Sequence, residues 1–142
     1  MDLHFGYDPQ MVHNLFEGYG SQGRELYADN LAIDSFMPLF LAQATVLFTA
    51  MAFGGSFFGR FLLFIPIAFL VADWVENILL FLLLNAYPAL DPGLVKISSN
   101  ITRPKLIAAI GTYALLVISG IVIDSRYAKS LWSERLLNRQ AQ

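Results

Sequence analysis

The chain has 142 residues, enough for one domain, and 56% of them are hydrophobic, whereas a soluble domain is nearer half apolar. A net charge of −2 excludes the strongly basic surface typical of nucleic-acid binding. Because cysteine is absent, disulfides, thiolate metal sites and a cysteine nucleophile are excluded as well. The hydrophobic excess falls in three blocks, which predict an integral membrane protein in contact with membrane lipids.

The first predicted element is an amphipathic interfacial helix over about residues 9–19. Asp8-Pro9 is typical of an N-cap followed by proline at the first helical position. Closely spaced glycines are expected to end this helix: Gly18, Gly20 and Gly23. A long helix follows, and its apolar part, about 31–53, is long enough to cross roughly 30 Å of hydrocarbon.

Two further spans are predicted, at about 61–84 and 106–123. The polar connection between them predicts a second interfacial helix over about 92–103, and the basic, aromatic tail predicts a third over about 125–138. Tyr87 and Trp132 are predicted interfacial anchors, because tyrosine and tryptophan favour the headgroup level. The fold class predicted for residues 1–142 is therefore all-α integral membrane, a single domain with three transmembrane helices.

The second span carries two acids and an amide in its apolar centre: Asp73, Glu76 and Asn77. Their i, i+3, i+4 spacing places them on one face of a helix. Lipid cannot satisfy that face, so it must meet other helices, water or a partner. Asp73 and Glu76 are thus the candidates for acid–base catalysis or ion transfer, although interhelical hydrogen bonding alone would also explain them.

Other polar residues could share this site. Arg24, Tyr27 and Asp34 fall near one face of the first long helix, while Tyr113 matches Glu76 in estimated depth. An interfacial role is favoured for the first three. Lys105 opens the third span, and both Arg103 and Lys105 lie at the membrane end where the second span exits and the first enters, so either could pair with Asp34. These residues are candidates for ligand contact or helix packing.

No metal site or cofactor is predicted. Both histidines lie outside the spans, and a single D-x-x-E motif without E-x-x-H pairs does not make a di-iron site.

Two motifs carry a family resemblance. The pattern G-x-x-G-R-x-x-Y-x-x-x-x-x-x-D runs from Gly20 to Asp34, and D-x-x-E-N runs from Asp73 to Asn77. Together with Pro66, Tyr87-Pro88 and Lys105, they resemble a family of small, mostly uncharacterised bacterial integral membrane proteins. The resemblance covers roughly residues 6–123. It implies one continuous domain and a bacterial inner (cytoplasmic) membrane location, but it implies no activity.

Three functions are compatible with the sequence. The leading hypothesis is a non-catalytic accessory or assembly subunit of a membrane complex, or a self-associating bundle, because three polar helix faces would be covered by other membrane subunits or by a homo-oligomer. The second is an enzyme or binder of a lipid or hydrophobic small molecule that uses Asp73 and Glu76. The third is a proton or cation pathway in a homo-oligomer.

Overall fold

The computed structural model describes residues 7–140, apart from the side chains of residues 134–136 and 138–140. Within that part of the chain the only regular elements are five α-helices: α1 (Pro9–Asp34), α2 (Phe36–Phe53), α3 (Phe57–Leu62), α4 (Phe64–Ala86) and α5 (Pro92–Gln140). Three helical stretches are long and apolar enough to cross a membrane: Pro9–Phe53, Phe57–Ala86 and Pro92–Ser133. The predicted all-α membrane fold with three spanning helices is therefore confirmed.

Helix α1 begins as predicted and bends at one glycine. The Asp8 carboxylate accepts a hydrogen bond from the Met11 backbone N–H at 2.8 Å, and Pro9 follows the cap. Gly20 alone leaves the helical conformation, with φ 63° and ψ −176°. The bend deprives the preceding turn of regular partners for its carbonyls. Arg24 Nη1 donates to one of these carbonyls, that of Phe16, at 2.9 Å.

Two prolines explain where the long apolar helices are interrupted. A proline lacks the N–H that would bond the carbonyl four residues earlier, and its ring crowds that carbonyl. Pro38 removes this bond from Asp34, and α1 ends at Asp34. Pro66 removes it from Leu62, and α3 ends at Leu62.

Helix α5 differs from the sequence prediction. Separate helices were expected over 92–103, 106–123 and 125–138, yet a single helix continues through Pro104 to Gln140. The reason lies in its first turns, where Val95, Ser98 and Thr102 are buried. One face of residues 92–103 therefore packs against the bundle, while the opposite face is exposed.

The helices pack in two zones. One end holds a hydrophobic core of α1, α4 and α5 side chains that includes Val12, Phe16, Leu80, Leu83 and Val95. Further along, α2 meets α5 through a seam of small and hydroxyl residues: Ala42, Thr45, Thr49, Ala52, Thr112 and Ser119. Small residues let membrane helices approach closely, and the hydroxyls of Thr49 and Ser119 lie 3.2 Å apart across the seam.

We predict that Gly20→Ala destabilises the protein by about 1–3 kcal/mol, because a side chain is strained at this positive φ. Gly18→Ala is the matched control. Gly18 lies in the same helix with open space around the position of a Cβ, and alanine there should stabilise by up to about 1 kcal/mol through helix propensity. Reversible unfolding in mixed micelles, followed by circular dichroism, measures both. Equal effects of the two substitutions would contradict the strain assigned to Gly20.

Candidate functional site

The acidic face of α4 points into the bundle. Asp73, Glu76 and Asn77 are 8%, 0% and 8% exposed, so all three are buried within one chain. The three residues therefore lie on one face of α4, and α5 and the α1–α2 junction cover that face. A partner protein is not required to bury them.

Lys105 of α5 provides the counter-charge. Its ammonium contacts Glu76 Oε2 directly and lies 3.4 Å from Asp73 Oδ1. The side chains of Lys105 and Glu76 are 10% and 0% exposed. Among the described residues, no hydrogen-bond donor other than this ammonium reaches Glu76 Oε2. One cation is thus held between two carboxylates in a largely dry interior, and we call Asp73, Glu76 and Lys105 the ion cluster.

Hydroxyl groups extend the ion cluster toward the N-terminal segment. Thr102 Oγ1 donates to Glu76 Oε1. One turn earlier on α5, the Ser98 hydroxyl is hydrogen-bonded to the Tyr7 hydroxyl, and the Ser99 hydroxyl accepts from the Tyr7 backbone N–H at 2.9 Å. Tyr7 is therefore fastened onto the part of α5 that carries the ion cluster.

The other side of the ion cluster is joined to the α1–α2 junction. Asn77 Nδ2 donates to Asp73 Oδ2 at 3.1 Å and lies 3.4 Å from Ser35 Oγ. Trp74 Nε1 donates to the Ser35 backbone carbonyl at 3.0 Å. The break that Pro38 introduces between α1 and α2 therefore places polar groups of Ser35 where α4 side chains can bond to them.

The predicted pairing of Lys105 with Asp34 was wrong. The ammonium pairs with the two acids of α4, while Asp34 is exposed and forms no ion pair with any described residue. Both residues lie near Asp73, because Lys105 pairs with it and Asp34 lines the same cleft, but helical spacing alone does not state which neighbour a side chain faces.

Asp34 instead lies on a cleft between α2, α4 and α5 of about 360 Å³. Asp73 and Tyr113 also line it, so three of the predicted site residues meet there. The remaining lining residues are apolar: Met37, Pro38, Phe40, Leu41 and Phe69. Asp73 thus belongs both to the buried ion cluster and to the wall of the cleft.

Arg24, Tyr27 and Tyr87 form a separate aromatic group. The Arg24 guanidinium lies 4.5 Å from the centre of the Tyr87 ring, an attractive cation–π geometry. Phe16 packs against the rings of both tyrosines, at 6.3 Å from Tyr27 and 6.2 Å from Tyr87. Tyr87, predicted as an interfacial anchor, is half-buried in this group. These contacts hold the bend of α1 against the end of α4.

Trp132, the other predicted anchor, is 66% exposed on the last turns of α5.

Sequence reasoning missed Tyr7, Ser35, Ser98 and Thr102. The sequence does indicate the last two of these residues, because Ser98, Thr102 and Lys105 are spaced i, i+4, i+7 and share one helix face. Treating residues 92–103 as a separate surface helix removed that face from consideration. For metal binding, no described group of three or more His, Cys, Asp or Glu side chains could hold an ion.

No protein-family model, curated protein or solved structure matches this chain.

We predict that Lys105→Met destabilises the protein by about 3–5 kcal/mol, because it leaves buried carboxylates without their cation. Adding Glu76→Gln and Asp73→Asn should restore much of that loss, since the neutral amides need no counter-charge. Lys96→Met is the control, because Lys96 is an exposed lysine of the same helix. Unfolding free energies in mixed micelles test this. A Lys105→Met protein as stable as the Lys96→Met protein would contradict the role of the ion cluster.

The environment of Tyr7 predicts that the protein loses stability at alkaline pH. Burial raises the pKa of its hydroxyl above 10.0, and the nearby Glu76 carboxylate adds to the rise. The unfolded chain therefore ionises this tyrosine first, so its contribution to stability is complete below pH 10.0 and is lost as pH rises from there through the higher folded pKa.

We expect Tyr7→Phe to remove the part of the pH dependence of stability that comes from the Tyr7 hydroxyl. The difference in unfolding free energy between the parent protein and the variant should shrink as pH rises above 10.0. Tyr127→Phe, at an exposed position of α5, should leave the pH dependence of the parent protein unchanged. A constant difference between the parent and Tyr7→Phe across this range would show that the Tyr7 hydroxyl does not titrate differently in the folded protein.

Proposed function

We propose that this protein binds an amphipathic, lipid-like small molecule in the cleft between α2, α4 and α5. The observation that carries the proposal is the double position of Asp73. Its carboxylate is fixed by Lys105 and Asn77 within the bundle and also lines the cleft.

The composition of the cleft supports an amphipathic ligand. Its volume of about 360 Å³ falls within the range of about 300–1,000 Å³ typical of small-molecule sites. Such sites combine mostly apolar walls with a few well-placed polar groups. Here five apolar residues accompany Asp34, Asp73 and Tyr113.

The arrangement of the lining suggests how a ligand would lie. Helices α2 and α4 run in opposite directions, because the short segment 54–63 joins their adjacent ends. Leu41 lies two turns beyond Asp34 on α2, and Phe69 lies one turn before Asp73 on α4. The carboxylates therefore gather toward one end of the cleft and the apolar side chains toward the other. Met37 and Phe40, which are 67% and 63% exposed, leave the cleft open toward the membrane.

The geometry favours binding over acid–base catalysis by the predicted pair. Glu76 is fully buried behind Lys105 and does not line the cleft, so the two α4 acids cannot both touch one ligand there. Burial of the polar faces within one chain also removes the reason for expecting a partner to cover them. As part of this proposal, the resemblance to bacterial membrane proteins favours the inner membrane as the location.

One observation favours a second candidate, an accessory subunit of a membrane complex. Beyond the bundle, α5 continues with every side chain from residue 124 to 133 exposed, among them Tyr127, Leu131 and Trp132. Aromatic side chains of this kind are enriched where proteins bind one another. A membrane subunit that packs along this end of α5 would cover them.

One experiment separates the two candidates. We expect native mass spectrometry of the protein, extracted in mild detergent from the membrane of its own cells, to show a single chain carrying a bound small molecule. Leu41→Trp should abolish that added mass, because the larger ring fills a partly buried wall of the cleft. Leu47→Trp, at an exposed position of α2 outside the cleft, is the matched control and should retain it.

Other membrane chains in a fixed ratio, lost in Trp132→Ala and unaffected by Leu41→Trp, would instead establish the accessory subunit. A bound molecule that persists in Leu41→Trp would show that the cleft is not its site.

A further inference from the structure

We propose that the head group held in the cleft is an amine, bound as its ammonium form between Asp34 and Asp73. This inference rests on the proposed function and names the chemical class of the ligand, a primary or secondary amine on an apolar tail.

The charges lining the cleft select a cation. Of the described residues that line it, Asp34 and Asp73 alone are charged, and they come from two different elements, the end of α1 and the middle of α4. A carboxylate or phosphate head group would meet two carboxylates and no lining cation. A neutral alcohol would be tolerated but would gain only ordinary hydrogen bonds, which are weaker than bonds in which one partner is charged.

The ion cluster behind the cleft adds one cation, Lys105, and one further acid, Glu76, to these charges. Among the described residues, the charged groups that line the cleft or form the ion cluster are the carboxylates of Asp34, Asp73 and Glu76 and the ammonium of Lys105. Three acids against one base give a formal charge of −2. Lys105 is committed to the α4 acids, on the bundle side of Asp73. A ligand cation beside Asp34 would change this formal charge from −2 to −1. The change matters because water screens charges poorly in these surroundings.

The remaining lining also suits an ammonium. The Tyr113 hydroxyl can accept a hydrogen bond from it, and the rings of Phe40, Phe69 and Tyr113 offer π faces, which attract cations within about 6 Å. The apolar tail would extend past Leu41 and Phe69, away from the carboxylates. The ion cluster itself provides a precedent in this chain, because Lys105 is an ammonium on an apolar stem that contacts Asp73 at 3.4 Å.

The test uses ligands that share a tail and differ in charge. Dodecylamine, dodecanol and dodecanoate are titrated into the protein in phosphatidylcholine nanodiscs at neutral pH, and native mass spectrometry counts the bound molecules. We expect dodecylamine to bind at least about tenfold more tightly than dodecanol, a difference of about 1.4 kcal/mol, and dodecanoate to bind most weakly. Butylamine serves as the amine without an apolar tail and should bind far more weakly than dodecylamine.

Asp34→Asn is the decisive variant, because Asp34 lies outside the ion cluster and its loss should spare the fold. This substitution should lower the affinity for dodecylamine about tenfold and leave the affinity for dodecanol unchanged. Asp29→Asn, which neutralises an exposed acid of the same helix outside the cleft, should change neither.

Each contrary outcome has a distinct meaning. Dodecanol or dodecanoate binding as tightly as dodecylamine, in a manner abolished by Leu41→Trp, would overturn the amine head group and retain the cleft as a binding site. Butylamine binding as tightly as dodecylamine would overturn the apolar tail. Leu41→Trp leaving the binding of every ligand unchanged would overturn both the inference and the proposed function.

Discussion

A lysine enclosed between two acids sets the arrangement of this protein. Moving charges out of water into hydrocarbon costs several kcal/mol for each ion, and only close pairing offsets that cost. Lys105 therefore has to face Asp73 and Glu76, which fixes the rotation of α5 about its axis and its height against α4. The same register places Thr102 against Glu76 and Ser98 beside Tyr7. Because lipid satisfies none of these groups, any sliding of α5 along α4 would break several bonds together.

The prolines contribute to the same site by a different route. Pro38 frees the chain to break after Asp34, and the break leaves the hydroxyl and carbonyl of Ser35 accessible to Asn77 and Trp74. It also places Asp34 at the mouth of the cleft, where a regular helix would have continued past it. The break between α1 and α2 thus supplies one carboxylate of the proposed ligand site, while the ammonium of Lys105 holds the other.

Much of this architecture is visible in the sequence, but the pairing of faces is not. The three spans follow from hydropathy, the bend follows from the glycines near residue 20, and the common face of Asp73, Glu76 and Asn77 follows from helical periodicity. Each of these is a property of one segment. The choice of Lys105 between Asp34 and the α4 acids depends instead on how two helices are rotated against each other. The continuity of α5 through Pro104 likewise depends on burial of the turns before it, because burial compensates for the one hydrogen bond that proline removes.

That continuity gives α5 a mechanical property. A helix of 49 residues is about 74 Å long at 1.5 Å per residue, far longer than the thickness of about 40–45 Å of a bilayer with its headgroups. Lys105 lies in its first third, inside the bundle, and Trp132 lies about 27 residues further along, about 40 Å away at 1.5 Å per residue. A small change of tilt at the ion cluster would therefore be magnified into a displacement of several ångströms at Trp132. The surroundings of the cleft and the exposed end of α5 are thus joined by one continuous helix.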